Sequence, residues 1–317
     1  ASDVYKRQDK DYLSFLKSAW DEWKTAGFKG EAIATVRQSR SKPSSCIPHY
    51  IEGKMGYYCL AAETSISNGT AEAAWESLNV ALCGAEHILA GDVSAFSLCR
   101  PPGHHASNDQ FGGYCFINNA SVAAQHMRDK GLNKVAVLDV DFHHGNGTQD
   151  VFYSDPDVLF ISFHQMPLYP GTGSVKEIGE GDGIGTTINI PLPPRTTGDV
   201  FLSAWDQLAL PAIEEFSPTW LLISAGFDAH RRDPLTDLGL TAGDYNLLTS
   251  QIIQTVPAGR RLVFLEGGYD LQALELSTCA VLHALVDKET HPEELSNGGI
   301  GSEAIDEVSE ILRTHEY

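Results

Sequence analysis

The feature that most constrains this chain is a repeated alternation. Six short apolar or β-branched runs lie near 94–98, 134–140, 158–163, 186–190, 219–224 and 261–265, and stretches of helical spacing lie at 118–130, 199–215, 242–255, 271–286 and 302–314. Two further helical stretches, 9–24 and 70–90, come before the first run, the second stopping at Gly91. Parallel strands need crossover connections, so this order predicts an α/β fold: a single domain with a central parallel β-sheet flanked by helices. Asn118 and Thr241 read as N-caps and Gly131 as the residue that closes a helix. Residues 28–58, with Gly and Pro among them, read as a long loop. No repeat, low-complexity stretch or linker divides the chain.

The ends of the apolar runs are where the chemistry collects. The run at 94–98 leads into RPPGHH, 134–140 into DFHHGNG, 219–224 into AGFDAH and 261–265 into EGGYD, while 158–163 ends at His164. Ligands of parallel sheets bind outside the carboxyl ends of the strands, so five loops are expected to bring His, Asp and Tyr to one edge. Asp139, Asp141 and His143 recur at a spacing of two and can share one side of the chain. Asp141 and His143, with Asp228 at the end of its own apolar run, form a plausible three-ligand set for a catalytic zinc that leaves a position open for water. Any one of them alone reads equally well as a solvated loop residue or a helix cap.

His104 and His105 supply imidazoles suited to proton transfer near neutral pH. Asp139 can accept a hydrogen bond from one of them and Asn146 from the other, fixing the tautomers. Tyr269, after two glycines, can donate to a carbonyl oxygen as it becomes an oxyanion. Gly113, Tyr114 and Tyr169 sit on two loops able to wall a narrow channel, although ordinary packing explains such aromatics too. The GTG at 171–173 lacks the Gly-Lys-Ser/Thr that opens a phosphate-binding helix.

Composition limits the partners. The formal net charge is −20, which argues against nucleic acid and is compatible with a cationic substrate. No run of 18 apolar residues and no secretory signal is present, so neither a transmembrane helix nor a membrane partner is expected, and a cytoplasmic location is the default. The six cysteines form no CxxC pair and read as reduced.

At the residues just named the chain resembles the histone deacetylase superfamily, on the arginase-like α/β fold. The matching segments are CRPPGHHA (99–106), GGYCFINNA (112–120), LDVDFHHGNGTQDVFY (138–153), ISFH (161–164), YPGTG (169–173), SAGFDAH (224–230) and EGGYD (266–270). The resemblance implies a zinc held by Asp141, His143 and Asp228, tandem histidines with His105 as general base and acid, and Tyr269 as oxyanion donor. It implies a substrate tunnel at Gly113, Tyr114 and Tyr169. It also implies structural potassium ions: one at Ser162, Phe163 and the backbone of Asp139, Asp141 and His143, another near Phe152, Asp155 and Val158.

Segments GFKGEAIAT (27–35), IEGKMGYYC (51–59) and AAETSIS (61–67) are similar to bacterial acetylpolyamine amidohydrolases. That likeness implies a homodimer through the 36–58 loop, with Glu52 and Glu63 selecting a cationic N-acetylamine. YPGTGSV, INIPLPP and SAGFDAHRRDPL look more like class II-type protein deacetylases, which implies acetyl-lysine instead. Two rivals remain: a dinuclear manganese hydrolase of arginase type, and an acetyl-amine binding protein without catalysis. The first strand and helix expected of the family are not evident. Residues 1–8, with DVYKRQ at 3–8, resemble translated adapter sequence, so the deacetylase domain is expected to span 9–317.

Overall fold

The computed structural model describes residues 4–37 and 46–314. Eleven α-helices and six strands alternate among them: α1 Val4–Arg7, α2 Lys10–Thr25, α3 Ile51–Tyr58, α4 Thr70–Leu89, β1 Ala95–Ser97, α5 Asn119–Asp129, β2 Val135–Asp139, α6 Asn146–Phe152, β3 Val158–Gln165, β4 Thr187–Leu192, α7 Gly198–Ala204, α8 Leu210–Phe216, β5 Trp220–Ala225, α9 Ala242–Ile252, β6 Arg261–Leu265, α10 Leu271–Leu285 and α11 Ser302–Thr314. The strands form one parallel sheet in the order β1-β6-β5-β2-β3-β4. The α/β fold with a central parallel sheet is therefore present.

Strand alternation divides the core in two. Ala136, Leu138, Leu221 and Ile223 face Phe201, Trp205, Leu248 and Val308, whereas Val135, Val137, Trp220 and Leu222 face Ala81, Ile88, Ala124 and Met127. A third core joins α2 and α3 to the 111–117 segment, where Tyr58 lies 5.6 Å from Tyr12 and 4.7 Å from Phe15, ring centre to ring centre. Register aligns the strand ends: Asp139 pairs with Ser162 and Ser224, Ser224 with Phe264, and Ser97 with Phe264. The loops that follow those strands consequently emerge at one level of the sheet edge.

Three local departures have physical causes. The segment read as a loop over 28–58 contains α3, whose buried Ile51, Met55 and Tyr58 follow helical spacing. Gly53 and Gly56 lower its intrinsic propensity and masked it. The helix expected at 199–215 is interrupted by a π-helical turn at Trp205–Ala209, immediately before Pro211, which cannot donate a backbone hydrogen bond. Strand β4 runs through Pro191, tolerated because β4 is an edge strand.

Residues 4–8 pack on the domain: Val4 is buried, Gln8 Nε2 donates to Ser107 O at 3.0 Å, and Arg7 Nη2 pairs with Asp155 at 2.9 Å. No helix among the described residues is long and apolar enough to cross a membrane.

Candidate active site

Strand β2 delivers the first two ligand candidates just past its end, and the loop after β5 delivers the third. The ligand atoms of Asp141, His143 and Asp228 all lie within 4.8 Å of one another. His143 Nδ1 is 3.2 Å from Asp141 Oδ1 and 3.1 Å from Asp228 Oδ2. The second oxygen of each carboxylate is tied down: Asp141 Oδ2 accepts from Gly267 N at 2.8 Å and Asp228 Oδ1 from Phe142 N at 2.9 Å. Such bonds orient a ligand set before an ion arrives.

Both carboxylates are fully buried, which by itself favours their neutral forms. Burial and the charge of Asp141 raise Asp228 to about 6. Asp141 goes the other way, its burial outweighed by His104 and His143, and lies below the usual carboxylate range. Burial opposes the charged form of His143, yet its two carboxylate partners push it up to about 10. The cluster thus needs positive charge, and a proton on His143 meets that need among the side chains alone. Two carboxylates and one imidazole converging on a point fit a divalent ion of zinc type, which would displace that proton.

The adjacent histidines have opposite surroundings. His104 Nδ1 lies 3.0 Å from Asp139 Oδ2, and its Nε2 3.8 Å from Asp141 Oδ1. Burial works against a charge on His104, but the two aspartates overcome it and hold the ring well above its ordinary value. His105 Nδ1 lies 2.8 Å from Asn146 Oδ1. Burial, then the positive charges of His104 and His143, hold His105 far below its ordinary value. An amide oxygen only accepts, so Nδ1 of His105 carries the hydrogen and Nε2 is left as a free base.

A cavity of about 170 Å³ ends on this group, lined by Glu63, His105, Gly113, Tyr114, His143, Tyr169, Leu235 and Tyr269. The Tyr169 ring stands edge-on to His105, centres 5.0 Å apart. Gly113 takes φ +54°, and a Cβ there would run into the His105 ring. Tyr114 adopts a left-handed φ of 63°, a strained conformation for a non-glycine residue, held by Tyr114 N donating to Thr64 Oγ1 at 2.9 Å. Gly113 N donates to Glu63 Oε1 at 3.1 Å, which fixes that carboxylate on the channel wall.

Residues 2–285 match the histone deacetylase domain. The chain belongs to the histone deacetylase family. It is 50% identical over 283 residues to the acetylpolyamine amidohydrolase of Mycoplana ramosa, covering 88% of this chain and 82% of that one. It is 42% identical over 284 residues to acetylpolyamine amidohydrolase 1 of Pseudomonas aeruginosa, covering 88% and 81%. The crystal structure of an acetylpolyamine aminohydrolase from Burkholderia pseudomallei superposes with a TM-score of 0.83 at 32% identity, over 90% of this chain and 82% of the other. The chain is accordingly an enzyme of deacetylase and amidohydrolase type.

Other residues of this deacetylase fall where the sequence did not place them. Within one chain Glu52 does not line the channel with Glu63 and Tyr269 but a separate groove with Ser18, Glu22 and Tyr50. Of the residues expected to hold potassium, Asp139 and Ser162 are register partners, and Asp155 N donates to Phe152 O at 2.9 Å. Asp155 also accepts from Arg7 and Arg128.

Glu266 was not singled out. It is buried, and its Oε2 accepts from Gly103 N at 2.7 Å and His104 N at 3.1 Å, while Oε1 accepts from Ser224 Oγ at 3.0 Å. It anchors the turn that carries the tandem histidines. The signal was available: like Asp228, it is a lone carboxylate ending a buried strand.

Proposed function

We propose that this deacetylase hydrolyses the N-acetyl group of small cationic amines, acetylpolyamines above all, with one zinc ion held by Asp141, His143 and Asp228. The observation that carries the reading is the pair of adjacent histidines with different partners, His104 Nδ1 against Asp139 and His105 Nδ1 against Asn146, next to a cavity that His105, His143 and Tyr269 line. A zinc ion at the ligand set supplies Lewis acidity toward the acetyl carbonyl and lowers the pKa of water. His105 Nε2 takes a proton from the attacking water and returns it to the departing amine nitrogen. His104 stays protonated against Asp139 and keeps positive charge beside the reacting group. The Tyr269 hydroxyl donates to the carbonyl oxygen as negative charge grows there. Gly113, Tyr114, Tyr169 and Leu235 hold the alkyl chain and exclude water.

Glu63, on the channel wall, faces the distal ammonium of a polyamine. Glu52 reaches a substrate only if a second copy brings it over the mouth, as a homodimer through 36–58 does in this reading; residues 38–45 of that segment lie outside the described residues. Potassium ions at Asp139, Asp141, His143, Ser162 and Phe163, and at Phe152, Asp155 and Val158, complete the proposal, as do a cytoplasmic location and the absence of nucleic-acid and membrane partners. The catalytic domain in this reading is 9–317. A chain shortened to begin at Asp9 that keeps turnover and zinc content supports that boundary, and loss of either overturns it.

The test is one panel of zinc-loaded enzyme against acetylputrescine, acetylspermidine and acetyl-lysine peptides. Faster turnover of the acetylpolyamines is expected. A preference for peptides overturns the substrate class but leaves the reaction standing.

A further inference from the structure

The loop that presents Tyr269 begins with two glycines, Gly267 and Gly268. A Cβ at Gly267 would collide with the carboxylates of Asp228 and Asp141, and Gly268 takes φ +129°. Both positions are glycine for want of space or for backbone conformation, and glycine holds its own conformation weakly. Something outside the loop has to fix the tyrosine. On the near side, Phe227 N donates to Gly267 O at 2.9 Å, which ties the loop down before the glycines end. Beyond them, the backbone N–H groups of Tyr269 and Asp270 both point at one acceptor. Tyr269 N donates to Asp233 Oδ2 at 2.6 Å and Asp270 N to the same oxygen at 3.3 Å.

The other oxygen of Asp233 is also engaged. Asp233 Oδ1 accepts from Leu235 N at 3.0 Å, and Leu235 is a channel-lining residue opposite the tyrosine loop in sequence but beside it in space. The Asp233 side chain is buried, with the residue 6% exposed, so these bonds are made out of competition with water. One carboxylate therefore spans two loops, one after β5 and one after β6, and sets the distance between two residues of the channel wall.

Resting on the function proposed above, we infer that Asp233 is a positioning residue for the reaction: it places the Tyr269 hydroxyl by clamping the backbone of Tyr269 to that of Leu235. It touches neither substrate nor ion. Its effect on kcat passes through Tyr269, while any shift of Leu235 falls on KM, and that makes the inference testable by non-additivity in kcat.

The experiment compares Asp233→Ala, Asp233→Asn, Tyr269→Phe and the double variants, all zinc-loaded, on the best substrate of the acetylamine panel. Asn keeps the shape and one acceptor, but its amide nitrogen faces either Leu235 N–H or the Tyr269 and Asp270 N–H groups, so it breaks one side of the clamp. Ala breaks both. In the wild-type background Asp233→Ala is expected to lower kcat on the order of 10- to 100-fold, as for misplacement of a catalytic group, with KM within about threefold. In the Tyr269→Phe background the same change is expected to cost less than about twofold. Hydrogen exchange of the peptide spanning 266–271 should quicken in Asp233→Ala while zinc content stays at the wild-type ratio.

Should Asp233→Ala fail to fold, Asp233→Asn carries the same cycle with a smaller first-step loss. Equal losses in the two tyrosine backgrounds, or unchanged kcat and exchange in either folded variant, overturn the inference alone. A near-normal Tyr269→Phe enzyme overturns the role assigned to the tyrosine, and this inference with it.

Discussion

Glu266 offers a stability experiment whose size follows from its surroundings. It is fully buried under the histidine turn, and burial raises its carboxyl from the ordinary 4.5 to about 7, with the positive charge of His104 only partly offsetting the effect. Between those two pH values the unfolded chain has released this proton and the folded chain has not. The folded state binds more protons there, so this group's contribution to stability falls as pH rises. At 1.36 kcal/mol per tenfold change in proton affinity, the rise corresponds to about 3 kcal/mol lost by the time pH passes the folded value.

Glu266→Gln removes the titration and keeps the contacts. The amide oxygen can accept from Gly103 N and His104 N, and the amide nitrogen can donate to Ser224 Oγ, the three partners of the native carboxylate. Urea unfolding of both proteins at pH 5 and pH 8, followed by fluorescence, checks the expectation. The variant should gain on the parent by roughly 2–3 kcal/mol between the two conditions. Turnover should stay within about fivefold, because the histidine turn keeps its anchor. Glu266→Ala leaves two N–H groups and a hydroxyl unpaired and should lose roughly 1–3 kcal/mol for each. A Glu-to-Gln stability difference that is the same at both pH values refutes the linkage argument.

Three further outcomes are expected. Asn146→Asp places a carboxylate against His105 Nδ1, which raises the pKa of that ring; since the base must be neutral to accept a proton, the acid limb of kcat/KM should move to higher pH by about one unit. An unmoved limb excludes His105 as the base. Glu63→Gln should raise KM for acetylputrescine roughly two- to fivefold with kcat little changed, and should leave KM for a neutral acetylalkylamine unaltered. Stripping the enzyme with a chelator should end turnover until zinc returns, and zinc binding at pH 8 should release about one proton per chain, from His143, measured by calorimetry in buffers of different ionisation enthalpy. Release of no proton contradicts the charge state assigned to that ring.

The parts of the site legible in the sequence are those whose geometry is local. Asp139, Asp141 and His143 follow the strand period, and strand register sets β5 beside β2 so that the loop after it carries Asp228 to them. Asp139 and Asn146 were expected to share the two histidines between them, and they do. Which histidine each takes depends on how one turn sits against β2 and α6, and no spacing encodes that. Glu266 and Asp233 stayed hidden for a related reason. Apart from the Ser224 hydroxyl on Glu266, their partners are backbone N–H groups, which every residue but proline possesses, so the sequence carries little mark of the pairing. Gly103 lies 163 positions from Glu266, and Tyr269 lies 36 from Asp233. Helix α3 was missed through its two glycines, although its buried residues kept the helical period.

The charge pattern of the site follows from this division of neighbours. His104 and His105 are consecutive, their rings only 4.0 Å apart between centres, so two positive charges there would repel strongly. The chain resolves the conflict by giving the acidic neighbours to one ring and an uncharged amide to the other. Asp139 and Asp141 stabilise a cation on His104, and that cation in turn disfavours a second one on His105. The proposed base is therefore held neutral by burial first, and then by the charges of His104 and His143. Removing the charge from His104, as Asp139→Asn would do in part, weakens the repulsion and lets the pKa of His105 rise, so its effect on the acid limb should have the same sign as Asn146→Asp although the substitution touches the other histidine.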